Sequence, residues 1–180
     1  MKKNNQAKKI ALCAFLCALG FVILLFGGLF SFAFLFLAPA MAMAFLIPAA
    51  REFGAGTGVV QYAATALLAV LLVPDKEVAL LYVFIGYYPL IKTYIDRLRL
   101  RIVRIVLKFL LFDGAIGLMY AAAIFVFGMQ ELVEEYRSAS SFLLIALCIL
   151  GNITFFLYDA VLARFRVLYE QRIRRRFFKE

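Results

Sequence analysis

A chain of 180 residues that is 66% hydrophobic, with a mean hydropathy of +0.96, carries more apolar surface than a water-soluble domain of that length can hide, so part of its solvent is not water. Its net charge of +9 and pI near 9.7 would suggest nucleic acid in a soluble protein. Here the positive-inside bias and attraction to anionic cytoplasmic lipid explain the charge more simply, and no nucleic-acid partner is expected. There is no histidine, and Cys13, Cys17 and Cys148 form no CxxC pair, which argues against a metal or haem site and against nucleophile–histidine catalysis.

A span takes about 20 apolar residues, and six use roughly two thirds of the chain. The expectation is therefore one all-α, polytopic membrane helix bundle over residues 1–180. Lys2, Lys3, Lys8 and Lys9 precede the first apolar run, residues 10–26. This start imitates a signal peptide, but no polar region with a small-residue cleavage site follows, so it reads as a retained helix. From Ile10 to Ala50 there are 41 residues without a charge, too many for one ordinary span, and Gly27-Gly28 is the natural place to divide them. The second run is 29–50, with kinks expected at Pro39 and Pro48. Arg51-Glu52 marks an aqueous boundary, and Gly54, Gly56 and Gly58 make a flexible start to the third run, 53–73. No lysine–hydroxyl ending or preceding strand makes that glycine group a phosphate loop. Pro74-Asp75-Lys76-Glu77 is a short polar turn. The fourth run, 78–94, is interrupted by Gly86 and Pro89, which predict a bend. The fifth, 102–129, follows a basic connection, and the sixth, 141–163, follows the polar loop 130–140. A basic tail, 164–180, ends the chain.

The N-terminus, the second-to-third loop, the fourth-to-fifth loop and the tail hold 4, 1, 5 and 7 of the 20 basic residues. The opposite turns hold Lys76 and Arg137, beside Glu131, Glu134 and Glu135, while Lys108 lies inside the fifth run. By the positive-inside rule, six spans with both termini cytoplasmic satisfy this pattern.

Ionisable groups inside spans are costly and so are the first site candidates. Asp113 lies about 11 residues into the fifth helix, near mid-depth at ~1.5 Å per residue. It is open between a buried hydrogen-bond hub and a ligand or proton site. By depth, Asp113 is level with Asn152, while Asp159 is within reach of Lys108 or Lys92. Tyr82, Tyr87, Tyr88, Tyr94, Tyr120 and Tyr158 read first as an interfacial belt and second as a pocket lining. Ala14 and Ala18 form a small-xxx-small pair on the first helix, suited to packing inside the bundle or to docking a partner membrane protein. Arg172, Arg174, Arg175 and Arg176 form a cluster that fits anionic lipid or an acidic cytoplasmic partner. No hydrolase, kinase or protease motif is present, so neither an enzyme nor a cofactor is expected.

Lys8-Lys9-Ile10 leading into an alanine-rich first helix, six short spans in 180 residues, the Phe53-Gly54…Gly58 start of the third helix and a basic tail together resemble the S component of energy-coupling-factor transporters. The pattern is also similar to related bacterial multi-pass membrane proteins. The resemblance implies a substrate-capturing subunit of the bacterial inner membrane, energised by ATPase subunits and docked through Ala14 and Ala18 on a transmembrane coupling subunit. The histidines of that family's metal-binding branch are absent. The outer half of helices four to six is almost wholly apolar, with Tyr82 and Tyr120 as the main polar exceptions. The expected ligand is therefore small and fairly apolar or aromatic, contacted by Tyr82, Tyr120, Asn152 and Asp113. The other reading is a non-transporting membrane scaffold or assembly factor that works through its basic tail and the 92–104 connection.

Overall fold

A computed structural model describes the backbone of residues 2–29, 33–129, 134 and 140–173. Among them there is no strand. Helical stretches long and apolar enough to cross a membrane are Gln6–Gly27, Phe36–Phe53, Ala55–Leu72, Lys76–Ile95 and Ser141–Gln171. The chain is an all-α, multi-pass helical membrane protein. It divides into two compact units, Met1–Arg97 and Leu98–Glu180.

The first unit begins with α1 (Lys2–Gly27), which has no proline. It ends where Gly28 N–H reaches Leu24 O at 3.0 Å. Gly28 is needed there because an added Cβ would come within 2.8 Å of Val73 Cγ1.

The second apolar run is two helices, α2 (Ala33–Ala44) and α3 (Leu46–Phe53). Proline has no N–H and its ring crowds the carbonyl four residues back. For Pro48 that carbonyl belongs to Ala44, and α2 ends there. The expected kink is thus real, but it appears one turn before the proline. Pro39 lies inside α2 without ending it.

The fourth run follows the same rule. Pro89 acts on Ile85, and α5 (Lys76–Ile85) stops there, before α6 (Tyr88–Ile95) resumes. Gly86 fits the break because any side chain would strike Tyr82 O and come within 3.0 Å of the Tyr62 ring.

Between these broken runs lies α4 (Ala55–Leu72). Gly54, at φ +90°, turns the chain from α3 into α4, a backbone region where L side chains are strained. Gly58 serves close packing instead: its missing Cβ would lie 2.9 Å from Ala50 Cβ and 2.7 Å from Leu90 Cδ2. The polar turn joins α4 to α5 by a double cap. Lys76 Nζ donates to Val70 O and Val73 O, both at 3.0 Å, holding the end of α4. The Asp75 carboxylate accepts from Glu77 N–H at 2.9 Å and Val78 N–H at 3.4 Å, starting α5. The core of this unit includes Leu24, Leu46, Ala69, Val73, Val78, Tyr82 and Tyr88, all fully buried.

The second unit is an antiparallel pair. The first member, α7 (Arg101–Phe125), carries Arg101, Arg104, Lys108 and Asp113. Gly128, at φ +64°, closes its end, with Met129 N–H on Ala123 O at 3.1 Å. The second, α8 (Ser141–Leu168), starts at Ser140, whose hydroxyl accepts from Leu143 N–H at 3.3 Å. It runs past the expected end at residue 163 into a π-helical turn, Tyr169–Ile173.

Candidate functional site

Two polar constellations lie among the apolar helices, one in each unit. In the first unit α4 carries Gln61, Tyr62 and Thr65 toward α5 and the α2–α3 break. Gln61 and Thr65 are one turn apart and almost completely buried, at 3% and 1% exposure. Gln61 Nε2 donates to Phe45 O, at the helix break, over 3.3 Å. The Thr65 hydroxyl lies 3.0 Å from Gln61 O and 3.2 Å from Cys17 Sγ on α1. Tyr82 of α5 is fully buried beside them. Its ring centroid is 5.9 Å from that of Tyr62, which meets Tyr87 edge-on at 6.1 Å. The Tyr62 hydroxyl donates to Val83 O.

Two buried atoms of this row have no hydrogen-bond partner among the described residues: Gln61 Oε1 and the Tyr82 hydroxyl. Thr65 neighbours the Tyr82 hydroxyl, but its contacts with hydrogen-bond geometry go to Gln61 and Cys17. An unpaired buried polar group costs about 1–3 kcal/mol. Two of them together approach the size of a small protein's whole stability, about 5 kcal/mol at the low end. Buried polar groups this expensive call for a partner. The row carries no charge, so it offers an acceptor, a hydroxyl and aromatic ring faces.

In the second unit α7 and α8 meet in rungs. Lys108 Nζ lies 2.9 Å from Asp159 Oδ2, with the two side chains only 9% and 16% exposed. One turn along, Phe112 stacks on Phe155 with centroids 4.7 Å apart. Next, Asn152 Nδ2 donates to Asp113 Oδ1 at 2.9 Å and to Cys148 O at 3.1 Å. Asp113 with Asn152 is the pairing expected from depth, and Lys108 is one of the two partners expected for Asp159. Lys92, the other candidate for Asp159, makes a 3.3 Å ion pair with Asp96 inside the first unit.

The four residues expected to share a ligand are divided between units. Tyr82 belongs to the first, while Asp113, Tyr120 and Asn152 belong to the second. Tyr120 is partly buried on α7. Ala14 and Ala18 are both exposed on α1. Arg174, Arg175 and Arg176 lie outside the described residues, as does the side chain of Arg172. The belt reading fails for Tyr82 and Tyr88, which are core residues, and suits Tyr94, at 59% exposure. Sequence reasoning missed Gln61 and Thr65. Their signal was present: Thr57, Gln61 and Thr65 repeat every four residues in an otherwise apolar run. Among the described residues no group of histidine, cysteine and carboxylate side chains could hold a metal ion. No protein-family model, no curated protein and no solved structure matches the chain.

Proposed function

We propose that this membrane protein is a substrate-binding subunit of S-component type, which captures a small, uncharged, fairly apolar or aromatic molecule within its first unit. The observation that carries this reading is the buried row Gln61–Thr65–Tyr82, with two unpaired polar atoms beside two broken helices. Interrupted membrane helices are tolerated where the backbone lines a site or is buried in protein. A ligand with a hydrogen-bond donor and a flat ring satisfies Gln61 Oε1 and Tyr82 and lies against the Tyr62 and Tyr87 rings. The contacts of this reading are Tyr82 and its neighbours in the first unit, while Asp113, Tyr120 and Asn152, also expected to touch the ligand, belong to the second. Partner subunits supply the energy and dock on the exposed Ala14–Ala18 face of α1. In this reading α7 crosses the bacterial inner membrane as a sixth span and both termini are cytoplasmic.

The test is mild-detergent purification from native membranes, with mass spectrometry of both proteins and small molecules. The expected result is a retained small molecule together with coupling and ATPase subunits, the latter lost on Ala14→Leu or Ala18→Leu. Protein recovered bare, from cells whose knockout has no uptake defect, refutes the reading. The exposed Arg97, Arg99 and Arg101 favour a second reading, a scaffold held on anionic lipid or an acidic cytoplasmic partner. Recovery with unrelated envelope factors alone would support it.

A further inference from the structure

Independently of the ligand reading, the second unit presents an unfinished polar face. Asp113 is exposed on α7. Its depth is set by its partner: Asn152 stands near the middle of Ser141–Gln171, a stretch long and apolar enough to cross the membrane. An exposed carboxylate at that level faces hydrocarbon unless protein covers it. Only one Asp113 oxygen is bonded among the described residues. Both Asn152 Nδ2 hydrogens are already directed, to Asp113 and to Cys148 O, so Asn152 has no further donor to offer it. What the exposed carboxylate lacks is therefore a second donor and a positive charge. Space is available as well. Gly117 is one turn from Asp113, and a Cβ added at Gly114 or Gly117 would meet nothing within 4 Å. Glycines at such positions let a second helix approach closely.

We propose that this face docks a transmembrane helix of another protein that carries a lysine or arginine at mid-depth, paired with Asp113. A second copy of this chain fits poorly, because it would bring a second carboxylate to the contact. A cationic side chain donates to the open Asp113 oxygen and neutralises the carboxylate.

The experiment places a photo-crosslinking amino acid at Leu118, exposed beside the face, in the full chain in native membranes. The expected product joins it to a membrane-spanning segment of another polypeptide that has a basic residue near its centre. Asp113→Asn keeps the shape and the Asn152 contact, so it should still fold, but its adduct should fall about tenfold. Asp113→Lys should lose the adduct, and changing the partner's basic residue to aspartate should restore it. Adducts only with lipid, with a second copy or with this chain's own residues 1–97 overturn the proposal. So does a partner segment without a basic residue, or an Asp113→Asn yield equal to wild type.

Discussion

Lys108 and Asp159 give the sharpest stability test, because their two removals have opposite consequences. At 2.9 Å and an effective dielectric near 20, their attraction is about 6 kcal/mol. Desolvating two side chains that are only 9% and 16% exposed takes most of that back, so the pair as a whole contributes little net stability. Lys108→Met takes the 2.9 Å positive partner from the largely buried Asp159, at a cost of about 3 kcal/mol. The figure is set at the low end of such losses because both groups keep further interactions. The double variant Lys108→Met, Asp159→Leu removes both charges and should come within about 1 kcal/mol of wild type. Without tryptophan the chain lacks the usual fluorescent reporter, so pulse proteolysis in dodecylmaltoside–SDS mixed micelles is the suitable assay. If the double variant is as unstable as the single, or the single loses under about 0.5 kcal/mol, the ion pair does not hold α7 to α8 as described.

Three further outcomes follow from the geometry. Asp75→Ala removes the carboxylate that starts α5 and should cost about 1 kcal/mol by the same proteolysis assay; no change would mean water replaces the cap. Gly58→Leu, forced against Ala50 and Leu90, should abolish a folded, monodisperse peak in size-exclusion chromatography, whereas Gly56→Ala, in open space, should leave it intact; equal behaviour of the two would contradict the packing assigned to α3, α4 and α6. Reporters fused before Met1 and after Glu180 should both read cytoplasmic if α7 crosses with the five apolar stretches, and termini on opposite sides would remove α7 from the membrane.

What was legible in the sequence was position along the helices. Apolar runs located five spans, while the expected fifth run, 102–129, is not among the stretches long and apolar enough to cross. The Asp113–Asn152 pair followed from depth, which left Asp159 open between Lys108 and Lys92, since residues at one level on antiparallel helices meet. The breaks in the second and fourth runs were legible as prolines, and their true positions follow once the lost hydrogen bond is counted back four residues. Rotation about the helix axis was not legible. When every face of a helix is apolar, periodicity cannot say which side points inward. Tyr82 and Tyr88 therefore resembled the interfacial Tyr94, although they are core residues. Gln61 and Thr65 are legible only as a four-residue polar repeat with Thr57, which does not say that they point inward. Gly54 does turn the chain into a new helix, but Gly58 is there so that helices can touch.

Native mass spectrometry of the protein released from native membranes, with Gln61→Leu and Tyr82→Phe beside wild type, decides whether the first unit holds a ligand. Wild type should carry a small-molecule adduct that both variants lose while they keep the wild-type elution volume. Wild type that flies without an adduct, or an adduct indifferent to both substitutions, would contradict a ligand site at the Gln61–Thr65–Tyr82 row.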